Sequence, residues 1–129
     1  MDVPKELKYS QDHHWVQANG RTAVIGITDF AQDELGMIVF VELPEVGDTL
    51  KAGDPFGNME SVKTVSELVM PVSGKVLEVN PQLAAAPSKL NVDPYGSGWL
   101  IKVELTDEAE LDKLWDSDKY ASAYVVEEE

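Results

Sequence analysis

The chain contains no cysteine. A disulfide framework, a zinc–thiolate centre and a cysteine nucleophile are therefore excluded within it, and any thiol chemistry has to come from an added group. Basic residues are scarce too: 10 Lys and Arg stand against 24 Asp and Glu, a formal net charge of −14. Such a field repels phosphate backbones and anionic lipid, which argues against nucleic acid and membrane as partners. It favours proteins with basic docking faces, chiefly through encounter rate. No run approaches the roughly 20 apolar residues of a membrane span, and low-complexity tracts are missing. The opening MDVPKELKYS shows neither a signal-peptide core nor an arginine-rich presequence. With its initiator methionine, that leads to the expectation of a cytoplasmic prokaryotic protein, the alternative being a mature mitochondrial form.

What is present suits one ordinary domain spanning residues 1–129, with 43% hydrophobic residues. HHWVQANGRTAVIGIT predicts a hairpin, with strands over 14–18 and 22–27 joined by Asn19-Gly20, two residues that tolerate positive φ. In TDFAQDELG, Thr28 caps a short helix, Asp29 suits its positive end, Gly36 closes it, and Ala31 and Leu35 face inward. MIVFVELP reads as a buried strand stopped by Pro44. Two Gly-Asp turns come next, and short strands reversing often point to a small sandwich or barrel. Residues 81–98 read as a long irregular segment, with a glycine-rich turn over 94–99 that anchors Tyr95 and Trp99 to the body. Strand returns in WLIKVEL. Thr106 then caps a helix carrying Leu111, Leu114 and Trp115 inward, and Ser117 starts a last helix, so that 106–124 form a C-terminal helical segment before a solvated acidic end. The fold class is mainly β, with short peripheral helices.

One lysine stands apart. FGNMESVKTVSEL has Lys63 as its only basic residue, between the β-branched Val62 and Thr64. Residues 57–61 and 65–69 pair as strands of a hairpin over about 56–70, which places Lys63 at the tip. From position alone, a solvated turn lysine, an unmodified scaffold and an attachment point for a group are all compatible. A protonated tip amine is a poor nucleophile, so chemistry at this position requires modification. His13 and His14 make a poor metal pair, since neighbours on a strand face opposite ways. The acidic run Asp107, Glu108, Glu110 and Asp112 reads as a solvated helix face.

HHWV, AVIGITDFAQDELG, IVFVELPEVGD, FGNMESVK, PVSGKVLEVN and NVDPYGSGWLIKV together resemble the H proteins of the glycine cleavage system along nearly the whole chain. The resemblance implies a lipoyl/biotinyl-type β sandwich-barrel and a lipoate in amide linkage to Lys63, within the modification motif Glu60-Ser61-Val62. It implies a non-catalytic shuttle. The aminomethyl group of glycine passes to the arm at the pyridoxal-phosphate glycine decarboxylase (P protein) and on to the tetrahydrofolate-dependent aminomethyltransferase (T protein). Dihydrolipoamide dehydrogenase (L protein) then reoxidises the dithiol. Lipoate-attaching enzymes are further partners, and the same exposed lysine also suits a carrier that hands lipoyl groups to other proteins. A monomer is expected. Glu67 is a contact for the loaded arm, and His14 stands where many relatives have a glutamate. Met37 and Lys89, which also depart from the family pattern, read as surface variation.

Overall fold

In the computed structural model, residues 2–124 are described; the acidic end at 127–129 lies outside them. Nine strands run in the order β1 (Lys8–Tyr9), β2 (His14–Asn19), β3 (Thr22–Ile27), β4 (Ile38–Glu42), β5 (Thr49–Leu50), β6 (Pro55–Ser61), β7 (Val65–Val69), β8 (Gly74–Val79) and β9 (Ile101–Leu105). Three short helices join them: α1 (Asp29–Leu35), α2 (Lys89–Val92) and α3 (Ser117–Tyr124). The strands form two antiparallel sheets, β1-β2-β3-β9-β8-β5 and β4-β6-β7.

Period-2 patterning builds the core between them. Along β9, Ile101, Val103 and Leu105 are buried while Glu104 is exposed. They pack with Val16, Ile25 and Val76 of the larger sheet and with Met59 and Leu68 of the smaller one. The start of β2 is buried on both faces, because Trp15 points away from that core into a second cluster with Leu7, Tyr9 and Tyr120. The two ends of the chain thus close over the far side of the large sheet. Trp15 Nε1 donates to the Pro94 carbonyl at 2.9 Å, and the Tyr95 hydroxyl accepts from Asp29 N at 3.0 Å. The glycine-rich turn is an anchor, as its sequence predicts.

The Asn19-Gly20 hairpin forms, with Gly20 at φ 65°. Thr28 caps α1 by accepting from Ala31 N at 3.2 Å, and Gly36, at φ 78°, returns its N–H to Gln32 O at 3.0 Å.

Four expectations need correction. The apolar run in β4 is a strand but not a buried one: only Ile38 is fully buried, while Val39 and Phe40 are half exposed. β4 is an edge of the small sheet, and a bulge between Ile38 and Phe40 turns two consecutive side chains outward. The segment read as irregular contains a 3-10 turn at Pro81–Leu83, entered through Asn80, and helix α2. Residue 107, not Thr106, caps the next element: Asp107 accepts from Ala109 N at the head of a 3-10 helix, Glu108–Lys113. His13 precedes β2 rather than lying on it, with φ 68°, so the two histidines are not strand neighbours and are not held to opposite faces.

The Thr28 hydroxyl, fully buried, also lies 2.7 Å from Tyr120 OH, which in turn lies 2.8 Å from His13 Nδ1. One side chain therefore joins the α1 cap to α3. Thr28→Val keeps the shape and removes the acceptor, and is expected to cost about 1–2 kcal/mol, read as a lower urea midpoint at unchanged slope.

Candidate functional site

The β6–β7 hairpin turns through Ser61–Thr64 without a glycine. Only His13 among the described non-glycine residues has positive φ, so Val62 and Lys63 sit in ordinary backbone conformations that β-branched and long side chains accept. Ser61 closes this turn as Asn-Gly closes the first hairpin. Its Oγ accepts from Lys63 N at 3.2 Å and Thr64 N at 3.1 Å, and Ser61 N donates to Thr64 O at 2.8 Å. From outside the hairpin, Met37 O accepts from Val62 N at 3.0 Å. The tip is held from two directions and Lys63 stands exposed on it.

The loop that supplies Met37 is itself braced. Asn91 on α2 donates from Nδ2 to Gly36 O at 2.8 Å, and its Oδ1 accepts from Ile38 N at 2.9 Å. Gly36 lies directly under the lysine: a Cβ there would stand 3.0 Å from Lys63 Cε. The stem of Lys63 thus runs across the end of α1.

A cleft of about 240 Å³ opens between α1, the start of β2 and the β6–β7 pair, and Leu35 of its lining is the chain neighbour of Gly36. It is smaller than the ~300–1,000 Å³ of pockets that enclose whole ligands, a size suited to the end of an arm. Phe30, Leu35 and Met59 give it an apolar wall, and Asp12, Glu34 and Glu67 bring carboxyl groups to its lining. His14 completes it. Its Nδ1 lies 3.0 Å from Asp12 O, and because a carbonyl can only accept, the proton is on Nδ1 and Nε2 carries a bare lone pair. That Nε2 is buried without a partner. Burial pushes the His14 pKa down to about 4, against the opposing pull of the Asp12 carbonyl and carboxylate. The imidazole is neutral at physiological pH. An apolar wall, a neutral imidazole and carboxyl groups fit an arm that ends in a cationic donor.

The sequence-predicted residues fall in three places. Lys63 and Val62 are exposed at the tip, Ser61 clasps it, and Glu60 is exposed on β6 opposite Val65. Glu67 lies further along β7, opposite Asn58, and reaches the cleft. Asp12, Glu34 and Asn91 were not foreseen. The first two carry no signal in the sequence, whereas an asparagine inside a helical tetrapeptide is at least out of character. Met37, read as surface variation, supplies the carbonyl that steadies the tip. Among the described residues, no group of three His, Asp or Glu is placed to hold a metal, and no helix is long and apolar enough to cross a membrane.

Two packed antiparallel sheets with a lysine lifted on a hairpin of the smaller one define a β sandwich of the lipoyl-domain type. The sequence profile of the family described as Glycine cleavage H-protein matches residues 7–127. The glycine cleavage system H protein of Brevibacillus brevis is 62% identical over 120 residues, covering 93% of this chain and 95% of the relative. That of Carboxydothermus hydrogenoformans is 56% identical over 127 residues, covering 98% and 96%. A crystal structure of a glycine cleavage system H protein from Mycobacterium marinum superposes with a TM-score of 0.86 at 39% identity, covering 96% of this chain and 100% of that one. The chain belongs to the glycine cleavage H-protein family. It is the lipoyl shuttle of the glycine cleavage system, a carrier rather than a catalyst, bearing lipoate covalently on a lysine and working with the other components of that system.

His14 makes acid stability a test of the cleft. Unfolded, it takes a proton below its ordinary 6.5; folded, it resists until about 4. Between those values the unfolded state holds more protons, so stability falls as pH drops through that window and stops depending on His14 below it. His14→Leu is expected to flatten the loss of urea stability between pH 7 and pH 4.5, with the lowered pKa of half-buried His13 accounting for part of the slope that remains.

Proposed function

We propose that Lys63 is the lysine that bears lipoate, and that the loaded arm rests in the cleft beside it. The observation carrying this reading is the clasped tip: Lys63 is the only basic residue between Lys51 and Lys75, and Ser61 Oγ and Met37 O hold its backbone out from the body. Glu60, Ser61 and Val62 form the motif presented with it.

When bound, lipoate supplies a dithiolane that takes up the aminomethyl group and returns as a dithiol, the sulfur chemistry a cysteine-free chain lacks. The residues of the chain position and protect. Gly36, bare of a side chain, lets the Lys63 stem lie across the end of α1, next to Leu35 of the cleft lining. Phe30, Leu35 and Met59 exclude water from its end. Glu67, with Glu34 and Asp12, offers negative charge to a cationic amine. His14, titrating at about 4, stays neutral in the same lining and adds no positive charge to repel that amine at neutral pH. Holding the amine protonated withholds the nitrogen lone pair that would otherwise expel sulfur.

The partners are, in order, the glycine decarboxylase, the aminomethyltransferase and dihydrolipoamide dehydrogenase, with lipoate-attaching enzymes before them. The protein acts as a single carrier domain and a cytoplasmic monomer. The bacterial sources of its relatives and the acidity of its surface support this.

Lys63→Arg is expected to abolish both the mass increase on lipoylation and glycine–bicarbonate exchange with the decarboxylase. Retention of either removes Lys63 from its role. In lipoylated, loaded protein, Glu67→Ala is expected to release the aminomethyl group several-fold faster than wild type, followed as formaldehyde and ammonia in the absence of the transferase. Equal rates sink the contact.

A further inference from the structure

His13 holds a backbone conformation that residues other than glycine seldom adopt. At φ 68° it is the only described non-glycine residue with positive φ. Such strain persists where the surroundings impose it, and it clusters at functional sites. The His13 backbone is fixed on both sides: its carbonyl accepts from Thr28 N at 3.1 Å, and its N–H donates to Ser10 O at 3.1 Å. Its ring lies among Phe30, Tyr120 and Tyr124, with centroids 4.8, 5.8 and 4.6 Å away. Phe30 belongs to α1, and the two tyrosines belong to α3. The imidazole is packed against both helices.

The hydrogen bonds of this cluster run in one direction. The Thr28 hydroxyl oxygen accepts from Ala31 N, and its only other hydrogen-bond partner among the described residues is Tyr120 OH. Thr28 is fully buried, so its proton has to go to the Tyr120 oxygen, 2.7 Å away. The Tyr120 proton then goes to His13 Nδ1 at 2.8 Å. Nδ1 is therefore the acceptor at the end of the row, and the ring proton sits on Nε2. His14, next in the chain, has the opposite tautomer. A second proton on His13 has to enter at Nδ1, where a donor already points. Relieving that conflict turns the Tyr120 proton back toward Thr28. The Thr28 proton is then left without an acceptor in a site closed to water. Neutral His13 satisfies every member of the row, and charged His13 does not.

We propose that His13 is a proton-sensitive latch for the C-terminal helix: neutral, it holds α3 to the α1 cap through Tyr120 and Thr28, and protonated, it releases that helix. Among the described residues, Tyr120 OH is the one side-chain group of α3 that hydrogen-bonds to the rest of the fold, so a single proton governs that tie. The stacking of Tyr120 on Tyr9 at 4.9 Å and of Tyr124 on Trp115 at 5.9 Å remains. Protonation thus loosens the helix without unfolding the domain. The titratable groups facing the ring are Asp12 from the turn before β2, Glu34 from α1, and Tyr120 and Tyr124 from α3, while Glu67 and His14 share the cleft lining with it. Asp12 and Glu34 favour the cation, but burial outweighs them and leaves the His13 pKa below its ordinary 6.5. The released state takes up the proton more readily than the latched one, so acid favours release as pH falls below 6.5. Since His13, Phe30 and Ala31 also line the cleft, release loosens one of its walls. The latch does not depend on which lysine carries lipoate.

The test is nitrogen NMR of both histidine rings in the full chain. At pH 7.5, His13 is expected as the Nε2–H tautomer and His14 as Nδ1–H. On titration to pH 5, the backbone amides of residues 117–124 are expected to shift with the midpoint of His13. Their hydrogen-exchange protection, corrected for the intrinsic pH dependence of exchange, falls several-fold over the same range. His14 titrates at about 4, outside it. His13→Asn tolerates positive φ and offers an acceptor that does not titrate, and is expected to keep α3 protected and to abolish the acid step. Tyr120→Phe keeps the stack on Tyr9 but cuts the row, and is expected to lower protection at pH 7.5 with no further loss on acidification. An Nδ1–H tautomer at His13, α3 amides that ignore its titration, or an undiminished acid step in either variant overturns the proposal. Should a variant fail to fold, the tautomer and the shared midpoint in the wild-type chain decide.

Discussion

Two backbone N–H groups, those of Lys63 and Thr64, converge on a single oxygen, Ser61 Oγ. The exposure of the lysine depends on that clasp. A four-residue reversal needs its polar groups satisfied, and the usual means, positive φ at glycine or asparagine, would replace the side chains this tip presents. A hydroxyl at the first position of the turn achieves the same closure while leaving Val62 and Lys63 free to be what they are. The clasp fixes the backbone only, and the side chain beyond Cβ stays outside the fold.

A tip held by its own turn would still pivot on the hairpin. The bond from Val62 N to Met37 O prevents this, and it in turn relies on Asn91, which pins the residues on either side of Met37. Through that relay α2, four residues long, positions a lysine on a different element of the fold. Behind α1, the contacts from Thr28 to Tyr120 and from Tyr120 to His13 join the helix to α3 and to the cleft. Together the peripheral helices set the height and direction of the hairpin relative to the cleft.

The sequence carries this arrangement unevenly. Elements governed by local chemistry are plain in it: the Asn19-Gly20 hairpin, the α1 cap at Thr28 and closure at Gly36, and the strands on either side of Lys63. Elements governed by tertiary context are not. An unbroken apolar run such as MIVFVELP has the same composition whether it lies between two layers or on a sheet edge facing a partner, and only the pairing order tells them apart. Asp107 and Thr106 are both competent caps, and the choice between them turns on where β9 ends. Asp12, Glu34 and His14 come together across separate elements, so no spacing along the chain announces their cleft.

Lys63 therefore stands at a boundary between two unlike surfaces. On one side lies an apolar sheet margin with acidic edges, exposed to solvent. On the other lies a small cleft whose carboxyl groups suit a cation. Apolar walls and carboxyl groups together suit an arm that is apolar along its length and cationic at its end, while His14 Nε2 is sealed within the fold without a partner, at an energetic cost. That histidine stays neutral in this lining across the cellular pH range, since burial has moved its titration to about 4. An exposed histidine would add positive charge to the cleft as the medium acidified; this one does not, because the fold has already excluded the proton.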